Sequence, residues 1–117
     1  MLAALDDKDE QHLACTELLS AVRGSRIVPA PVLVELDYMT SRELGPAAFQ
    51  TILDQIHRDA LAIEELEPAD YVRVGFVDAA VLAVVERLRE PKLATLDHRH
   101  FSVMRPRHVD ALELLPA

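Results

Sequence analysis

Three carboxylates, Glu35, Asp78 and Asp97, stand where the surrounding pattern does not expect charge, each in a different part of the chain. Carboxylates converging from separate elements supply the hard oxygen ligands that Mg²⁺ or Mn²⁺ prefers, and a cation held in that way can direct water at a phosphodiester. At ~100° per residue Glu35 falls about 60° from Val32, on the margin of its helix's apolar stripe, and is expected to face partly inward, whereas Asp37 points away. Asp78 sits between Val77 and Ala79 in the first turn of the most apolar helix pattern of the chain. An unpaired charge buried there is costly, so it should be capping, paired or metal-bound. Asp97 ends a strand pattern, at the edge where open α/β sheets bind ligands. Each has a plainer alternative: Glu35 as a solvated or salt-bridged helix residue, Asp78 as a complement to its helix dipole, and Asp97 as the N-cap of His98-Arg99-His100.

Other chemistries find less support. Of His12, His57, His98, His100 and His108, only His98 and His100 are close in sequence, and neither CxxC nor HExxH accompanies them, which disfavours a zinc site. The phosphate-cradling patterns GxxxxGK[ST] and GxGxxG are absent from the sequence. Ser20, Ser25, Ser41 and Ser102 lack a nucleophile-elbow context, and Cys15 falls on a core-facing stripe, so nucleophilic catalysis is disfavoured.

The elements that must position the carboxylates can be read from periodicity. From Asp9, a candidate N-cap, Cys15, Leu18, Leu19 and Val22 repeat at helical spacing until Gly24. Ile27-Val28-Pro29 reads as a short buried strand, and Pro31 suits the first turn of a helix with apolar positions Val32, Leu33, Leu36 and Met39. Gly45-Pro46 opens a third helix on Phe49, Ile52, Leu53 and Ile56, and Leu61-Ala62-Ile63 is the next strand. Pro68 begins a short helical piece through Tyr71 and Val74, and a buried helix runs from about Val77 to Arg89. Lys92 to Leu96 is a strand, Phe101 to Met104 a turn or short helix, and Leu112 to Leu115 a last strand. Strands alternating with helices indicate a parallel α/β sheet.

The chain has 117 residues, half of them apolar, which suits one domain over 1–117 with a core of its own. The nearly apolar stretch from Phe76 to Val85 is interrupted by Asp78 and falls far short of the roughly 20 residues that span a bilayer. The acidic start differs from a secretory signal, and the single cysteine, Cys15, cannot form an internal disulfide, so a reducing cytoplasm is expected. The net charge of -8 is uneven: residues 1–86 carry -10, whereas residues 87–108 carry +4, with His98, His100 and His108 interleaved. That basic segment suits phosphate contact, or alternatively a solvated helix end and loop.

Three segments, Ile27-Val28-Pro29-Ala30-Pro31-Val32-Leu33-Val34-Glu35-Leu36-Asp37-Tyr38, Gly75-Phe76-Val77-Asp78-Ala79-Ala80-Val81 and Ala94-Thr95-Leu96-Asp97-His98-Arg99-His100-Phe101, together resemble the three later signature blocks of VapC toxins, which are PIN-domain ribonucleases. Arg105-Pro106-Arg107 and Leu112-Glu113-Leu114-Leu115-Pro116 resemble that family's C-terminal end, so the likeness covers most of the chain. It implies a PIN-like parallel sheet flanked by helices and a metal-dependent endoribonuclease toxin. Glu35, Asp78 and Asp97 are then the acidic ligands of Mg²⁺ or Mn²⁺. It implies also RNA as substrate, a cognate antitoxin and homodimerisation. Arg99, Arg105 and Arg107 are candidates for RNA phosphate contact, and Tyr38 and Met39 are surface-anchor candidates, Met39 with core packing as its alternative.

Two departures accompany the likeness. The segment from Met1 to Asp6 aligns only with residues downstream of the family's first Asp-Thr/Ser motif, so an N-terminal truncation is expected, without the first central strand and the first catalytic aspartate. Asp6 and Asp7 are conceivable substitutes for that ligand, Asp6 with the start of an acidic loop as its alternative. Between Val74 and Gly75, relatives carry about a dozen further residues, and an error of about 1 Å in a catalytic constellation can cost about 100-fold in rate. The second reading is therefore a catalytically impaired VapC-like protein that binds an antitoxin or its own kind.

Overall fold

The computed structural model describes residues 1–72 and 77–117. The described residues form two compact units, 1–65 and 66–117.

The first unit contains α1 (Leu2–Leu5), α2 (His12–Ala21), β1 (Arg26–Pro29), α3 (Ala30–Glu43), α4 (Pro46–His57) and β2 (Leu61–Glu64). Strands β1 and β2 pair in parallel, with Arg26 opposite Leu61 and Pro29 opposite Glu64. A parallel pair needs a crossover, here supplied by α3 and α4, which pack on each other while α3 contacts β1 and α4 contacts β2. Gly45 takes a φ of 89° at the N-cap of α4, a left-handed conformation that glycine adopts without steric cost, and Pro46 then opens the helix. The core gathers Val28, Leu36, Ile52 and Leu61, with Phe49, Ile56 and Ile63 packed around them.

Several sequence expectations meet adjustments here. Asp9 does not cap α2: its carboxylate accepts from the Gln11 backbone N–H at 2.7 Å, which closes a turn one residue earlier, and Gln11 holds the cap position. Short-range hydrogen bonds of this kind compete with the helix for an Asp side chain. Cys15 is buried as expected, but Val22 lies past the helix end and is exposed. The unexpected short helix α1 packs on α2 and buries Ala3.

The second unit contains a 3₁₀ turn over Asp70–Val72, then α5 (Val77–Leu88), β3 (Lys92–Ala94), α6 (His98–Phe101) and β4 (Glu113–Leu115). Strands β3 and β4 pair in parallel, Lys92 opposite Glu113 and Ala94 opposite Leu115. The expected continuation of the 3₁₀ turn to Val74 and the Val74–Gly75 connection lie outside the described residues. Helix α5 is buried broadly, at Ala80, Val81, Ala83, Val84 and Val85, as its near-uniform apolarity predicts. It ends in a left-handed residue, Arg89, while the Glu90 N–H donates to the Val85 carbonyl at 2.9 Å and so closes the helix. The short helix expected near Phe101 begins earlier, at His98, because Asp97 caps it.

Buried Asp70 ties this unit together. Its carboxylate accepts from the Glu67 backbone N–H at 2.9 Å and from Arg87 Nε at 3.0 Å, joining the 3₁₀ turn to the last turn of α5.

The architecture is α/β with short parallel strands and flanking helices, the expected class. Among the described residues no helix is long and apolar enough to cross a membrane.

Candidate metal centre

Strand β3 ends at Ala94, and a short turn then delivers Asp97 to the start of α6. The turn is anchored at both sides: the Thr95 N–H donates to the Leu115 carbonyl at 2.8 Å, and Thr95 Oγ1 accepts from the Asp97 N–H at 3.0 Å. Asp97 Oδ1 accepts from the His100 backbone N–H at 3.2 Å, so the capping role open to it on sequence is real. The same carboxylate also meets the His100 ring, Oδ2 to Nδ1, at 2.6 Å.

That hydrogen bond sets the electrostatics. It holds the Asp97 carboxyl below its ordinary value, assisted by the His100 N–H and by the charges of His100 and Arg99. In return, the hydrogen bond and charge of Asp97 raise the His100 imidazole above its ordinary value, with Asp78 adding in the same direction.

Asp78 stands in the first turn of α5, half-buried. It converges with the Asp97–His100 pair: one ligand atom from each of Asp78, Asp97 and His100 lies within 4.8 Å of the others. No hydrogen bond to the Asp78 carboxylate forms among the described residues, so among them it is neither a cap nor a hydrogen-bonded salt-bridge partner. Two carboxylates from separate elements and an imidazole make a donor set that suits a hard divalent cation, with the imidazole extending it toward softer ions.

Glu35 belongs to the first unit and is exposed on α3, not partly inward as expected. The buried stripe of α3 centres on Leu36 and Thr40 rather than on Val32, and Glu35 stands about 100° from Leu36. Tyr38 is exposed and Met39 half-buried. Arg99, Arg105 and Arg107 are all exposed. Arg105 turns its guanidinium onto the carbonyls of Ser102 and Met104, and the Arg107 backbone N–H donates to Glu86 Oε1 at 3.0 Å. On sequence, His100 is weighed as a zinc ligand and disfavoured, and stands otherwise in the basic segment and in the turn that Asp97 caps, with no expected contact to the Asp97 carboxylate. Its spacing of three residues from Asp97, on a turn that Asp97 caps, is the local signal for the contact.

A cavity of about 370 Å³ opens in the first unit between α1, α2 and the starts of β1 and β2, and none of the expected site residues lines it.

No family model matches the chain. It is, however, 30% identical over 118 aligned residues to Ribonuclease VapC26 of Mycobacterium tuberculosis (strain ATCC 25618 / H37Rv), an alignment that covers 91% of this chain and 87% of that protein. The chain belongs to the VapC family of PIN-domain toxins. Its short parallel strands and flanking helices are thus those of a PIN-like fold. The convergence of Asp78 with Asp97 and His100 lies in a family whose ribonucleases depend on metal, and this cluster has the donors to hold one.

Proposed function

We propose that this VapC-type chain is a metal-dependent endoribonuclease toxin in which Glu35, Asp78 and Asp97 are the acidic ligands. The observation that carries this reading is the meeting of Asp78 and Asp97 from two separate elements, with Asp78 half-buried and lacking any hydrogen-bond donor among the described residues. His100 already offsets part of the charge of the two carboxylates, and a divalent cation held between them would offset the rest. When bound, Mg²⁺ or Mn²⁺ would offset charge on a phosphodiester and favour attack by water.

The chain's own residues then divide the work. Asp78 and Asp97 would present oxygens to the cation, and Glu35 is the third acidic ligand that the family likeness implies. The exposed guanidinium groups of Arg99, Arg105 and Arg107 contact RNA phosphates from the basic segment 87–108, which carries a net +4 within an otherwise acidic chain.

We propose further that residues 1–117 act as one PIN-like domain, that a cognate antitoxin occludes the site, and that the chain forms homodimers. Val34 and Tyr38, both exposed and four residues apart on one face of α3, support an apolar protein contact. The cytoplasm is the proposed location, in keeping with Cys15 as a lone buried thiol.

The test is cleavage of a mixed RNA panel by the purified chain with Mg²⁺ or Mn²⁺, with EDTA and Asp78→Asn as controls. Cleavage lost in both controls is the expected result. A folded chain that cuts no RNA would favour the antitoxin-binding reading instead.

A further inference from the structure

We infer that His100 is a positioning residue, whose ring fixes the Asp97 carboxylate in the orientation that receives a divalent cation beside Asp78. The inference rests on the ligand reading of Asp78 and Asp97 proposed above, and its test separates the two.

The Asp97 side chain is 45% exposed, so water competes for both of its oxygens and packing alone does not set its rotation. His100 supplies what packing does not. Its backbone N–H donates to Oδ1 at 3.2 Å, and its ring Nδ1 stands 2.6 Å from Oδ2, so one residue grips both oxygens and defines the carboxylate plane. Removing the ring leaves one bond, about which the carboxylate can turn. An ionised carboxylate offers about four lone-pair sites. Two serve His100, which leaves capacity on each oxygen for a cation, and Asp78 lies within 4.8 Å of both partners.

This arrangement has the form of a hydrogen-bonded outer partner of a ligating carboxylate, whose loss typically costs about 10- to 100-fold in metal affinity. The ring must donate through Nδ1. Asparagine carries a donor nitrogen at the same position along its side chain, whereas alanine carries none, and both keep the backbone N–H that completes the cap.

The experiment measures Mn²⁺ binding to the metal-free 117-residue chain by the paramagnetic resonance signal of the free ion, beside the melting temperature of each protein. The variants are His100→Ala, His100→Asn and Asp78→Asn. The expected result is a loss of about 10- to 100-fold in Mn²⁺ affinity for His100→Ala, substantial recovery for His100→Asn, and little change in melting temperature for either. Parental affinity in His100→Ala overturns the inference. So does His100→Asn binding no better than His100→Ala, because the ring would then supply something that an amide donor cannot. If Asp78→Asn binds Mn²⁺ as the parent does, the ligand reading itself fails and the inference with it.

Discussion

The Asp97 carboxylate and the His100 imidazole meet at 2.6 Å across a single turn of α6, each changing the proton affinity of the other. His100 is held above its ordinary 6.5 and Asp97 below its ordinary 3.8. The His100 contribution to stability is complete below pH 6.5 and is lost as pH rises through the raised imidazole value. The Asp97 contribution is complete above pH 3.8 and is lost as pH falls through the lowered carboxyl value. In the metal-free chain the ion pair therefore persists across the interval between those two limits. The ring signals of His100, followed by NMR, should titrate with a midpoint above 6.5 in the parent and nearer 6.5 in Asp97→Asn. An unchanged midpoint in the variant would mean that the contact does not exist in solution.

The core of the first unit offers a second test. Ile52 is 1% exposed on α4, whereas its neighbour Leu53 is 39% exposed. Truncation of Ile52 to alanine removes buried methyl groups and leaves a cavity, so Ile52→Ala should destabilise by about 2–5 kcal/mol. Leu53→Ala should cost less than about 1 kcal/mol. Chemical denaturation of the two variants checks the contrast, and equal costs would contradict the orientation of α4.

Buried Asp70 predicts an asymmetric response. The Arg87–Asp70 pair has side-chain exposures of 20% and 7%, and it joins the 3₁₀ turn before α5 to that helix's last turn. Arg87→Met leaves the Asp70 carboxylate buried without its guanidinium, which should cost about 3 kcal/mol. Asp70→Asn keeps an acceptor for the Glu67 N–H and should cost less. Urea midpoints in which Asp70→Asn is the more damaging change would argue that the pair is not what holds this turn.

Local periodicity makes most of the fold legible. Phe49, Ile52, Leu53 and Ile56 mark α4, and the short apolar runs at Ile27 and Leu61 mark strands that do pair in parallel. What periodicity does not resolve is which side of a stripe becomes its centre. The angle of Glu35 from Val32 turns it partly inward, but the tertiary contacts of α3 bury Leu36 and Thr40 instead. The ligand candidates Asp78 and Asp97 are legible as charges out of pattern, whereas their meeting is a tertiary fact. Sequence leaves Asp97 as either a site residue or a cap, and it is a cap that also faces Asp78. The Asp70–Arg87 pair spans 17 positions, and no local rule connects residues so far apart.

The two roles of Asp97 can be separated by the choice of replacement. Asparagine caps helices about as well as aspartate, whereas alanine at an N-cap costs about 1 kcal/mol. Asp97→Asn should therefore melt close to the parent, and Asp97→Ala should be less stable by about that amount. Metal-dependent RNA cleavage should fall in both, because neither side chain carries the anionic oxygens that a hard cation prefers. Activity that tracks stability, surviving in Asp97→Asn and failing only in Asp97→Ala, would show that Asp97 serves α6 alone. Loss of cleavage in a fully stable Asp97→Asn would assign the carboxylate charge itself to the reaction.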